Sequence, residues 1–309
     1  MQLFNLASVA NQAGEISSSL GFQLRGDSLD NRGGTLRSDA SLDLVLGGGL
    51  DNRGGLLSSA STLKVKAGDL DNRSSGRLLG RELDASVGGL LQSAGSQLYA
   101  KDVLSLDLNN GHLDNQAGLI STPGQLLLRN LASVDNRAGE ISGSRAFEFA
   151  AGSLDNRGGK LLGDQLLTLR IAQALDNAAG LVSAARLDGR SGSLNNAGGK
   201  LSVGSDLVFS TAGLLDNRSG ELLARDLVLD AASLENTAGS VRAERNLSLD
   251  LNNGYLNNQG GRINAPVNCC LTTSAASTTA TPRSPASRRS RSSQRLSTTA
   301  AARCSASRA

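Results

Sequence analysis

An eight-residue motif, apolar–Asp/Asn–Asn–x–x–Gly–x–apolar, recurs from one end of this chain almost to the other and limits what it can fold into more than any other feature. It reads LDNRGGTL at Leu29–Leu36, LDNRGGLL at Leu50–Leu57, LDNQAGLI at Leu113–Ile120, LDNRGGKL at Leu154–Leu161 and LNNQGGRI at Leu256–Ile263. The key asparagines are Asn11, Asn31, Asn52, Asn72, Asn115, Asn136, Asn156, Asn177, Asn196, Asn217, Asn236 and Asn258. A degraded copy at Leu91–Leu98 fills the one gap, with Ser93 in the asparagine place. The twelve intervals from Asn11 to Asn258 then average about 20.6 residues, which lies in the range of solenoid repeats.

Between motifs runs a second apolar stretch with alternate residues buried, as in Leu42-x-Leu44-x-Leu46 and Leu247-x-Leu249-x-Leu251. Alternation marks strands with one buried face, and no segment sustains a 3.6-residue period. If one repeat is one turn, strands of successive turns stack in parallel at about 4.8 Å, so about 13 turns make a rod of roughly 60 Å. The apolar residues two before and five or six after each asparagine then point inward. The fold expected is all-β: a parallel β-helix of about 13 turns followed by a disordered C-terminal tail.

A stacked carboxamide can donate to one neighbouring turn and accept from the other, so the asparagines are expected to form a buried structural ladder. Aspartate in that column would place like charges about 5 Å apart in a low-dielectric wall. The bland alternative is that asparagine merely tolerates a left-handed turn. The glycine three residues after each asparagine is read as meeting a positive φ. It is delayed by Ser74-Ser75 in the fourth copy and lost in the fifth, so these two turns are expected to be the least regular. Asp before and Arg after the asparagine, as in Asp30/Arg32 and Asp155/Arg157, form two exposed columns that offset each other's repulsion by pairing across columns.

The core must be aliphatic, since the chain has five Phe, two Tyr and no Trp. The net charge of +3 conceals an asymmetry. Eight arginines and no acidic residue follow Asp250, which leaves residues 1–250 at −5. The basic character thus belongs to the tail, and no nucleic acid is expected on the body. All three cysteines, Cys269, Cys270 and Cys304, are in the tail. With one histidine, His112, and no cysteine in the body, no catalytic set, metal site or cofactor site can be assembled there, and none is expected. No apolar run is long enough for a membrane span, and no signal peptide is visible at the start. The chain enters the repeat at once, as a cut through a longer array would.

The L-D-N-x-x-G-x-L repeat over residues 1–263 resembles the haemagglutinin repeat of the filamentous haemagglutinin family. The resemblance implies a right-handed β-helix, export by two-partner secretion through an outer-membrane transporter, and a place outside the cell or on its surface. It also implies a structural, non-catalytic stalk in an adhesin or a contact-dependent inhibition effector, with host or neighbouring-cell surfaces as partners. The family's N-terminal secretion domain and a C-terminal toxin are not recognisable in the chain. Two other readings compete. Leucine-rich repeats share the period, but they place asparagine differently and need an outer helix. A β-helix enzyme acting on polysaccharide needs a cluster that breaks the repeat, and none is visible.

Two regions follow: the β-helix at residues 1–264 and a Ser/Ala/Thr/Arg-rich tail at residues 265–309. The tail's abrupt loss of glycine and of acidic residues reads as disorder, with either a frameshift or an arginine-rich arm as its origin.

Overall fold

In a computed structural model of the chain, which describes residues 1–272 and 304–305, all secondary structure is β-strand. Every strand pair is parallel, and all but that of Cys304–Ser305 with Ile263–Asn264 join segments about one repeat apart, which builds a β-solenoid of about 14 turns. A turn contains three strand segments. In the second and third turns these are the segment after the motif (Thr35–Ser38), the alternating segment (Leu42–Leu46) and a short one leading into the next motif (Leu50–Asp51). Elsewhere the corners are smooth enough for segments to merge, as in the strand Gln97–Asp114.

The alternation places one set of side chains inside the coil. Leu29, Leu50, Leu70, Leu90 and Leu113 stack in register through five turns, each at most 1% exposed. A second column continues from Ile16 through Leu36 and Leu57 to Ile263 without a break. Thin aliphatic layers of this kind leave little space for an aromatic ring. Where Phe209 occurs, the residue below it in the column is Gly189, and a Cβ there would overlap the ring. Close packing of the interior makes such local volume compensation necessary.

The stack passes the boundary placed at 264. Ala265 is fully buried, and the strand Asn268–Thr272 pairs with Ser240–Asp250, with Asn246 opposite Asn268 and Leu249 opposite Leu271. This segment begins a further turn because its alternation still matches the turn below. The disordered remainder expected for the tail, and its origin, lie outside the described residues apart from Cys304–Ser305, a short strand on Ile263–Asn264.

Candidate functional site

The thirteen motif copies bring their carboxamides into one line. Asn11 Nδ2 donates to Asn31 Oδ1 at 2.7 Å, Asn31 to Asn52 at 2.7 Å and Asn52 to Asn72 at 2.7 Å. The line resumes at Asn115, which donates to Asn136, and continues through Asn156, Asn177, Asn196, Asn217 and Asn236 to Asn258. Each Nδ2 from Asn11 to Asn236 except that of Asn72 also lies within reach of two carbonyl oxygens, one in its own turn and one in the next. For Asn156 these are Gly159 and Leu181. Every member is buried, between 0% and 8% exposed. A buried amide left without partners costs about 1–3 kcal/mol, and the stacking leaves none of the interior members in that state.

The gap is filled by Gln92, not by Ser93. Asn72 donates to Gln92 Oε1 at 3.2 Å, and Gln92 Nε2 donates to Asn115 Oδ1 at 2.7 Å. The register settles the assignment, because Leu90 lies under Leu113 and Leu91 under Asp114. The signal was available as the 20-residue step from Asn72 and the shared carboxamide. Leu90 holds the apolar column and Leu91 the Asp column, so the motif in this copy starts one residue earlier than Leu91. Ser93 instead accepts from Ser74 N. The fourth and fifth turns each carry one extra residue in this corner, so they nest and remain in register at Arg77/Gln97 and Leu78/Leu98. They depart from the other turns together and do not disrupt the stack.

The glycine reading is also corrected. The left-handed residue is the one before the motif glycine: Gly33 (φ 61°), Gly158 (φ 63°), Ala117 (φ 53°) and Ala138 (φ 53°). The motif glycine is required for space. A Cβ on Gly34 would overlap the carbonyl oxygen of Asn11 and lie 2.7 Å from Asn31 Oδ1. The ladder and the backbone of the turn below occupy the volume that any side chain would need.

Outside the ladder, each Arg closes onto the Asp of its own turn. Arg157 Nη2 lies 2.6 Å from Asp155 Oδ2, and Arg157 Nε lies 3.7 Å from Asp176 of the following turn. The same two-step reach links Arg32 to Asp30 and Asp51. The Asp and Arg columns thus pair with each other as expected, most closely within one repeat, since Asp and Arg two residues apart on one strand edge share a side. The Arg32 side chain holds Asp30 at about 2, helped by the Arg32 backbone N–H and the Gln12 amide, with burial acting in opposition. For Asp71, Asp155 and Asp216, burial pushes upward, but the side chain, backbone N–H and charge of the following arginine together outweigh it and hold each carboxyl low.

Depressed carboxyls contribute stability that is fully present above the unfolded value of about 3.9 and is lost as pH falls through the folded value. The urea midpoint is therefore expected to be nearly flat from about pH 7 to 5 and to fall between about pH 4 and 2. A midpoint unchanged down to pH 2 would show that these pairs carry no differential ionisation.

The remaining surface carries open grooves. A groove of about 510 Å³ is lined by Asp30, Asp51, Asp69 and Asp71, three of them in the arginine-paired column. His112 is exposed, with Nδ1 2.8 Å from Ser133 Oγ. Among the described residues no group of His, Cys, Asp or Glu could hold a metal ion, and no helix is long and apolar enough to cross a membrane.

Continuous parallel stacking, one motif per turn and an internal carboxamide ladder define a β-solenoid repeat protein. Residues 3–105 match the family model of the haemagglutinin repeat. These residues belong to that family, the repeat of filamentous haemagglutinins, and the same motif continues in register through Ile263. No curated protein and no solved structure gave a match.

Proposed function

We propose that the chain is a non-catalytic stalk segment of a secreted or surface-displayed filamentous adhesin, which spaces or presents other parts of the protein. The observation that carries this reading is the continuous ladder from Asn11 to Asn258. A stack of equivalent turns provides length and stiffness, and its outer surface repeats shallow features without concentrating chemistry at one turn. Export by two-partner secretion and use in an adhesin or a contact-dependent inhibition effector agree with the haemagglutinin repeat. In this reading the partners are the outer-membrane transporter and a host or neighbouring-cell surface.

Removing one whole turn, residues 157–177, keeps the asparagine register and is expected to shorten the rod by about 4.8 Å while leaving it folded. Adhesion of the purified chain to target cells should then be weak, multivalent and almost insensitive to which turn is removed. A tight, saturable one-to-one complex in calorimetry, abolished by deleting one particular turn from a still-folded chain, would overturn the stalk reading.

A further inference from the structure

One of the three faces of the solenoid opens between two neighbouring turns. On the face built by the alternating segments, residues 103–107 pair with 125–129, and residues 147–151 pair with 167–171. Between residues 125–130 and 147–150 no residue is paired, and among the described residues this is the one such break on that face. The other two faces stay paired through the same turns, residues 119–122 on 140–143 and Leu131 on Ala151. The break leaves a groove of about 520 Å³ whose lining includes the inward side chains Leu126, Leu128 and Phe147. These are 2%, 7% and 6% exposed, whereas Leu104 and Leu106, which hold the same places one turn earlier as Leu126 and Leu128, are fully buried.

Two local features part the strands. Phe149 stands in the interior column that leads through Leu169 and Gly189 to Phe209. Phe209 takes the volume that Gly189 gives up, but Phe149 has Leu169 next to it and must find room on its other side. On that side the chain passes from Arg129 to Leu131 through one additional residue, Asn130 (φ 53°), whereas Ala150 leads directly into Ala151, the partner of Leu131. The two strands therefore reach the corner one residue out of step. The charges on the rim reflect the separation. Arg170 and Asp188, diagonal neighbours on adjacent turns of this face, approach to 2.7 Å. Arg129 and Glu148 hold the same relative places across the break, and among the described residues no ion pair joins them.

We propose that this groove takes up an extended peptide segment of a partner protein as an additional parallel strand. A strand edge presents backbone N–H and C=O groups that another extended backbone matches along its length, and here two such edges face each other. Side chains alternate across a strand, so the entering segment places two apolar residues inward, over Leu126, Leu128 and Phe147. The outward residue between them stands in the column of Leu127 and Glu148 and is basic. The next outward residue stands in the column of Arg129 and Ala150 and is acidic. Each then meets the opposite charge on the rim, and the pattern recognised is apolar–basic–apolar–acidic. The groove adds one binding place to the stalk and leaves the stalk reading intact. A short strand that must also hold two turns apart is expected to bind with a Kd on the order of 0.1 mM, which is far from a tight complex.

Fluorescence polarisation of a fluorescein-labelled peptide, Gln-Leu-Lys-Leu-Asp-Asn with blocked ends, titrated with the full chain, tests this. The peptide should bind, and exchanging its Lys and Asp should weaken binding on the order of tenfold at low salt. Arg129→Glu and Glu148→Lys in one chain, both at exposed positions, should reverse the preference between the two peptides and leave the circular dichroism unchanged. The first peptide N-methylated at both leucines lacks the backbone donors of a strand and should not bind. Binding that survives N-methylation, binding by the unaltered chain that is indifferent to the charge order, a preference unmoved by the double substitution, or no binding at millimolar chain concentration would overturn the proposal.

Discussion

Asn156→Asp is expected to destabilise the chain by roughly 3–5 kcal/mol at neutral pH, the range for an uncompensated buried charge, whereas Asp155→Asn should cost no more than about 1 kcal/mol. Asn156 is fully buried, accepts from Asn136 and donates to Asn177 at 2.7 Å and to Gly159 O at 3.3 Å. A carboxylate keeps the accepting contact but turns oxygen toward Asn177 Oδ1 and the Gly159 carbonyl, with no proton to share. Its alternative is to bind a proton, which restores a donor. The deficit in urea midpoint should therefore shrink as pH is lowered from 7 toward 5. Asp155, by contrast, is part-exposed beside Arg157, and two other copies carry Asn in its place, Asn195 and Asn257. Asn195 Nδ2 even donates to Asp176 of the preceding turn at 3.0 Å. Equal loss from the two neighbouring substitutions would remove the ladder as a source of stability.

The second large effect separates two adjacent glycines. Gly159→Ala should cost at least about 2–3 kcal/mol, as overpacking of a filled site does. Its Cβ would overlap the Asn136 carbonyl oxygen and lie 2.8 Å from Asn156 Oδ1. That carbonyl accepts from Gly139 N within its own corner at 3.0 Å, so it cannot withdraw without breaking the corner that holds the ladder. Gly158→Ala should cost about 1 kcal/mol or less. The site has φ +63° with nothing within 4 Å of a Cβ, and Ala13, Ala117, Ala138, Ala179 and Ala238 adopt the same conformation in other copies. The left-handed penalty of about 1–2 kcal/mol is offset in part by the smaller freedom of unfolded alanine relative to glycine. Thermal unfolding of the two variants compares them directly. If the cost fell on Gly158 and not on Gly159, backbone conformation rather than space would be the reason for the motif glycine.

The duplicated segments LSLDLNNG at Leu104–Gly111 and Leu247–Gly254 show how far a local pattern carries. Both contain the same pair of left-handed asparagines, Asn109-Asn110 and Asn252-Asn253, so identical residues make the same corner in distant turns. In both, the first asparagine's Nδ2 bonds a backbone carbonyl of the turn below, Val87 O and Ala231 O, a contact invisible in the duplication itself.

The sequence by itself determined the strand content, the one-motif-one-turn stack and the inward set of Leu, Val and Ile. These follow from periods of two and about 21, which need no knowledge of neighbouring turns. Only the tertiary structure decided that Gln92 bridges Asn72 and Asn115, that Gly34 and its equivalents are required for space, that Gly189 yields volume to Phe209, and that the stack continues to Thr272. Each of these depends on atoms from residues about 20 apart meeting at van der Waals or hydrogen-bond distance. A motif read along one turn specifies which residues face inward, but the space and partners they find there are supplied by the turns above and below.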